Sequence, residues 1–88
     1  MAKYRVSIKP SARKELLGLP TKKDRQRIVR LIQSLANDPR PAGCQKLSGY
    51  DRYRVRQGRY RILYQIQDEE LIVFVVKIGH RSNVYRSL

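Results

Sequence analysis

Between Tyr50 and Ile66 the chain reads "YDRYRVRQGRYRILYQI" and carries five arginines, Arg52, Arg54, Arg56, Arg59 and Arg61. A guanidinium is a planar fork that bonds phosphate oxygens in pairs and stays charged at any physiological pH. Arginines repeated at this spacing are therefore equipped to hold and neutralise a crowded phosphate. Three further residues follow in "GHRSNVY". Arg81 is either one more surface charge or, coming just after Gly79, a group that curls back toward the arginines. His80 is the only histidine and the only side chain whose unperturbed pKa lies near neutrality; it reads either as a capping histidine or as a proton carrier. Tyr85 either anchors the tail or stacks on an unpaired base.

The remaining composition narrows the chemistry. Divalent-metal phosphodiester cleavage needs clustered carboxylates. The acidic residues are Glu15, Asp24, Asp38, Asp51, Asp68, Glu69 and Glu70, and only Asp51 borders the arginine segments. One cysteine and one histidine do not make a zinc site. There is no glycine-rich phosphate loop and no serine-nucleophile motif. Neither metal nor cofactor is expected. What remains is metal-free chemistry on a polyanion, and RNA brings its own nucleophile, the 2′-hydroxyl. The protein then has to orient the strand, place cations on the phosphate and move protons. Arg54, Arg56, Arg61 and Arg81 suit the first two tasks. Only His80 is naturally poised for the third, so cleavage of free RNA is expected to be slow unless a larger machine orients the substrate.

Charge points to the same partner. Twenty Lys and Arg against seven Asp and Glu give a formal net charge of +13 over 88 residues. Such a field repels itself and attracts polyanions. An acidic protein that neutralises it is the second candidate partner; a membrane surface is not supported, since no basic amphipathic helix of the membrane-lying kind is present. The length fits one domain, 1–88, with a thin core that buries about 60–65% of the unfolded chain's surface. The lone Cys44 excludes an internal disulfide, and "MAKYRVSIKP" lacks the apolar stretch of a signal peptide. A soluble cytoplasmic protein is expected.

The elements that must position these residues follow from periodicity. "YRVSI" alternates as a half-buried strand. Pro10 and Ser11 open a helix that Gly18 and Pro20 close. Thr21 with Asp24 resembles a capping box for a second helix, with Ile28, Leu31, Ile32 and Leu35 on its apolar face. Lys22, Lys23, Arg27 and Arg30 form its other face and are further candidates for RNA contact, together with Arg52 and Arg59. "NDPRPAG" ends that helix. The second half is β: a short strand in "CQKLSG", strands on either side of Gln57-Gly58, a "QDEE" turn, and an apolar run at 71–78 that reads as a central strand covered on both faces, left at Gly79. The fold class is α+β: an N-terminal strand, a helical hairpin, then an antiparallel meander with a short C-terminal tail.

With Gln57-Gly58 as the hairpin turn, Arg56 faces Arg59 and Arg54 faces Arg61. Tyr53, Val55, Tyr60, Ile62, Tyr64 and Ile66 then share a core face, and Arg54, Arg56, Arg59 and Arg61 share the other. A charge run is usually a solvated face. Here no acidic residue interleaves from Arg52 to Gln67, and opposed like charges destabilise a sheet. A phosphate-binding surface explains why they are kept.

"KLSGYDRYRVRQGRYRILYQI" followed by "VVKIGHRSNVYR" resembles the RelE/ParE toxin superfamily of toxin–antitoxin systems, and its RelE branch in particular. The resemblance covers essentially the whole chain, including the first strand, "SARKELLGLP" and the helix ending before "DPRP". It implies a microbial-RNase-like sheet and a ribosome-dependent endoribonuclease that cuts mRNA in the ribosomal A site by 2′-hydroxyl attack, without a metal. Arg54 and Arg56 fall where the family has two lysines on the first hairpin strand. Arg61, Arg81 and Tyr85 match an arginine of the next strand, an arginine after the last strand and a tyrosine of the tail. Arginine for lysine keeps the charge and removes a proton carrier, which raises the standing of Tyr85 and His80. The implied partners are the 70S ribosome with its mRNA and a RelB-like antitoxin, with operator DNA reached only through the antitoxin complex. Two other readings stand beside it. A ParE-like inhibitor of DNA gyrase has the same fold and no nuclease activity. A non-catalytic basic module explains the charge and not the tail.

Overall fold

The computed structural model of the chain describes residues 3–47, 52–82 and 84. The elements run β1 (Arg5–Ile8), α1 (Pro10–Leu17), α2 (Lys22–Ser34), β2 (Gln45–Lys46), β3 (Tyr53–Gln57), β4 (Tyr60–Gln67) and β5 (Ile72–His80). They build a five-stranded sheet in the order β1-β5-β4-β3-β2. The meander β2 to β5 is antiparallel, as its sequence pattern requires. β1 returns to it by pairing parallel with β5, Arg5 beside Ile72 through Ile8 beside Val75, so the sheet is mixed. A parallel edge needs a long crossover, which the helical hairpin and the meander supply.

Local chemistry sets the helix ends. Pro10 opens α1, where its missing N–H costs nothing. Thr21 caps α2: its Oγ1 accepts the Asp24 N–H at 3.2 Å, and its hydroxyl donates to Asp24 Oδ2 at 2.6 Å. Ile28, Ile32 and Leu35 of the second helical segment are buried, as their spacing predicts, against Val55, Tyr60, Ile62, Tyr64, Val73, Val75 and Ile78 of the sheet. Among the described residues the helices therefore cover one sheet face only. No helix among the described residues is long and apolar enough to cross a membrane.

Two expectations about the strands are corrected. The apolar run is an interior strand, β5, between β1 and β4, but its two faces are not covered alike. β5 buries Val73, Val75 and Ile78 on its core side while Ile72, Phe74 and Val76 stay half-buried, and it continues through Gly79 to His80. The hairpin turn is Gly58-Arg59, not Gln57-Gly58: Gln57 pairs Tyr60, Arg56 pairs Arg61, Val55 pairs Ile62 and Arg54 pairs Leu63. Gly58 has φ +59°. A left-handed glycine at the first central position is what a type II′ hairpin turn requires, and that requirement places Gly58 first in the turn. Each partner on β4 moves by two residues, so both faces keep their expected membership except for Arg59, which lies in the turn.

Two side-chain clusters fasten this frame. Arg40 grips Asp68 with both terminal nitrogens, at 3.1 and 2.8 Å, stands 5.2 Å from the Tyr53 ring centre and donates to the Tyr53 hydroxyl at 3.4 Å. Tyr4 donates to Asp68 from the other side at 2.6 Å. The Arg40 and Tyr4 bonds hold the Asp68 carboxyl down at about 2, and the Asp68 bond raises Tyr4. Tyr64, stacked on Tyr53 at 5.9 Å, donates to the Pro39 carbonyl at 2.7 Å; burial pushes its hydroxyl well above the tyrosine range. The "NDPRP" loop is thus tied to the middle of the sheet. At the opposite edge of β5, Glu15 of α1 accepts from Lys77 Nζ at 2.6 Å and from the Ile78 N–H at 3.2 Å. It closes a strand edge that β1 leaves open.

Candidate functional site

The helix-free face of the sheet carries Arg54 and Arg56 on β3 and Arg61 on β4. One like-charge pair is directly opposed, Arg56 with Arg61, where the predicted register gives two. Arg56 is exposed and Arg61 half-buried. Arg61 Nη1 donates to the carbonyls of Gly58 at 3.4 Å and Tyr60 at 3.3 Å. These long bonds to neutral acceptors hold the guanidinium near the turn and leave its charge uncompensated. Arg59 leaves the strand face for the exposed turn. Its carbonyl receives the Arg81 N–H at 2.9 Å, so the end of β5 is stitched to the hairpin tip and Arg81 stands exposed beside it. This bond extends the β4–β5 ladder by one pair.

Gly79 lies opposite Arg61. Lacking a side chain, it lets the chain fold back: Val84 is fully buried, its N–H donates to the His80 carbonyl at 3.0 Å, and its Cα stands 3.6 Å from the Cβ position of residue 79. Val84 therefore packs on the arginine face beside Arg61. Tyr85 lies outside the described residues.

The sequence leaves His80 between a capping role and a place with the arginines, and the register sets it apart from them. His80 pairs with Tyr60, whose side chain is in the core, and the two rings meet edge-on at 6.2 Å. Directly opposed residues project to one side, so His80 stands at the end of the helix-bearing face, away from Arg61. Its Nδ1 accepts the Ser82 N–H at 3.2 Å and lies 2.8 Å from Ser82 Oγ. A ring nitrogen that accepts a backbone N–H is the unprotonated one, so the neutral ring carries its proton on Nε2. This is the capping role weighed as the alternative.

Lys22, Lys23, Arg27 and Arg30 are all exposed on α2, whose buried residues face the sheet. They belong to the outer surface of the helix layer and do not join Arg56, Arg61 and Arg81. Arg52 is half-buried just before β3, and its Nη1 finds no hydrogen-bond partner among the described residues. Arg54 departs most from expectation. It is only 4% exposed, and its Nη2 donates to Gln45 Oε1, the residue opposite it on β2. The sequence gives no sign that Gln45 partners Arg54; only the β2–β3 register reveals it. Among the described residues no set of His, Cys, Asp and Glu is arranged to hold a metal ion. What the face offers is fixed positive charge with room on one side and a packed sheet behind it.

Residues 6–85 match the family model described as the ParE toxin of type II toxin–antitoxin systems, parDE. The chain belongs to the RelE/ParE family of toxins. Among its RelE/ParE relatives, the toxin RelG of Mycobacterium tuberculosis is 30% identical over 86 residues, 94% of this chain and 97% of that protein. The putative toxin RelE1 of Methanocaldococcus jannaschii is also 30% identical, over 97% and 98% of the two chains. The fold matches the archaeal RelE–RelB complex from Pyrococcus horikoshii with a TM-score of 0.81 at 30% identity, covering 96% of this chain and all of that one. The isolated RelE toxin of E. coli matches at 0.75 and 29%, covering 88% and 83%.

Proposed function

We propose that this toxin is a ribosome-dependent endoribonuclease that cuts mRNA in the A site by attack of the RNA's own 2′-hydroxyl, with no metal taking part. The observation that carries the reading is the Arg56–Arg61 pair. Opposed like charges weaken a hairpin, and these stand on rigid strands, on the face that no helix covers, with Arg81 held beside them by the Arg59 carbonyl. Such fixed cations suit a phosphate whose charge concentrates as the 2′-oxygen adds and the 5′-oxygen leaves. Arg61 and Arg56 stabilise that charge. Arg81 orients the strand from the end of β5. The guanidinium groups cannot carry protons, so proton transfer falls to Tyr85, by resemblance to the family, and to the ribosome-bound substrate itself. The ribosome supplies the alignment that a flat arginine face does not.

The same reading includes a RelB-like antitoxin, as in the solved RelE–RelB complex, and contact with operator DNA only through that complex. A second surface supports an acidic, partly apolar partner. Between α1 and α2 lies a groove of about 510 Å³, lined by Leu16, Leu17 and Val29 and rimmed by Lys22, Arg25 and Arg30.

The test is primer extension on mRNA from a translation reaction, with and without ribosomes, beside an Arg81→Ala control. Cuts within A-site codons that need ribosomes and vanish in the variant support the reading. Intact message together with loss of gyrase supercoiling moves the protein to the ParE activity.

A further inference from the structure

Arg54 poses a problem that the cleavage reading leaves unsolved. It is the one buried charged residue among the described residues, at 4% exposure. Its hydrogen-bond partner is the neutral amide oxygen of Gln45. Among the described residues the ion pairs are Arg40–Asp68 and Lys77–Glu15; no carboxylate answers Arg54. A buried charge without a counter-charge is costly, and proteins normally pair it.

The surroundings say where the counter-charge enters. A hollow of about 350 Å³ opens beside Arg54, lined by Ala42, Gly43, Gln45, Arg54, Val55 and Arg56. Among the described residues no acidic side chain lines it. Gly43 adopts φ +89° and nothing lies within 4 Å of where its Cβ would be, so bare backbone faces open space there. Exposed Arg56 stands on the rim and also belongs to the Arg56–Arg61 pair. Alternation along β3 puts Arg54 and Arg56 on one face, roughly 6.6–6.8 Å apart.

We propose that this hollow is a second phosphate subsite, taking a backbone phosphodiester of single-stranded RNA next to the one held by Arg56 and Arg61, with Gln45 as the residue that positions Arg54. This deepens the cleavage reading and rests on it for the identity of the strand. A neutral amide is the fitting choice at Gln45. It fixes the guanidinium in place without cancelling its charge, so the charge remains available to an incoming phosphate. A carboxylate there would satisfy Arg54 internally and close the site to anions.

That contrast supplies the test. The full-length protein is titrated off the ribosome with a short 2′-deoxy-substituted single-stranded oligonucleotide, which cannot be cut, and separately with inorganic phosphate at constant ionic strength. Three proteins are compared: wild type, Gln45→Glu, and Gln67→Glu as a charge-matched change on an exposed residue at the far end of β4. The proposal expects Gln45→Glu to weaken oligonucleotide binding at least tenfold while raising the melting temperature. Gln67→Glu is expected to weaken it less than threefold. The Gln45 side-chain amide resonance of the wild type should move with the oligonucleotide, and much less with inorganic phosphate at the same concentration. Equal, small losses in both variants overturn the proposal. So does a higher melting temperature in Gln45→Glu with unchanged affinity, which makes Arg54 a purely structural charge. An equal response to inorganic phosphate overturns the diester assignment. Because binding is read without ribosomes, failure here is distinguishable from failure of the cleavage reading, which primer extension decides.

Discussion

Glu15 joins the helix layer to the end of the strand that carries Arg81, and removing it gives a stability loss that can be worked from the geometry. Its carboxylate accepts from Lys77 Nζ at 2.6 Å and from the Ile78 N–H at 3.2 Å, with Lys77 24% and Glu15 30% exposed. A hydrogen bond to a charged group contributes about 1.5–3 kcal/mol when well buried. Partial exposure and the length of the second bond reduce the sum. We expect Glu15→Ala to cost about 1.5 kcal/mol, a fall of roughly 6–12 °C in Tm for a domain of this size. Glu15→Gln keeps an acceptor for the Ile78 N–H and loses the ion pair, so about half the cost should return. The assay is urea unfolding of the single variants and of the pair with Lys77→Met, read as a double-mutant cycle. Two results would refute the reasoning: a cost below about 0.5 kcal/mol for Glu15→Ala, or equal costs for Ala and Gln.

Three further outcomes follow from the same geometry. The Asp68 carboxyl sits at about 2, below its ordinary 3.8, so its stabilising contribution is complete above about pH 4 and is lost as pH falls from there toward 2. Urea midpoints measured from pH 5 to 2 should fall more steeply for the wild type than for Asp68→Asn. Tyr64→Phe removes the bond to the Pro39 carbonyl in a buried setting and should cost about 1–2 kcal/mol by equilibrium unfolding; a neutral change would mean the carbonyl finds water. Gly58→Ala forces a left-handed φ of +59° on a residue with a Cβ and should cost about 1 kcal/mol, with Gly58→Asn costing less.

The layers of this fold were legible because period and parity carry them. Ile28, Ile32 and Leu35 at helical spacing, and Val55, Ile62 and Tyr64 at strand spacing, each identified the side that became core. Both faces of the hairpin survive a wrong turn assignment, since a shift of two residues leaves side-chain parity intact. The turn itself was misread because Gln57-Gly58 and Gly58-Arg59 look alike until the type II′ backbone puts Gly58 first. What local pattern cannot carry is long-range register. The parallel return of β1 to β5, the pairing of His80 with Tyr60 and that of Gln45 with Arg54 all join strands whose order the sequence does not state. Which face His80 takes, the one away from Arg61, is therefore not legible in the sequence. Arg54 seemed an exposed cation and is buried. The basic residues of α2, candidates for RNA contact, lie on the outer surface of the helix layer, apart from the arginine face. Strand alternation could foretell that Arg56 and Arg61 share one face, and the Arg59 carbonyl brings the Arg81 backbone to the same end of the sheet.

The most direct test of the central claim is the single-turnover rate of mRNA cleavage on a programmed ribosome with its A site empty, for the wild type and for Arg61→Ala. Removing one preorganised donor from a developing charge costs about 10²–10³ in rate. The account predicts a fall of that size with ribosome binding unchanged. Equal rates for the two proteins, or no cleavage by the wild type while translation stops, would contradict it.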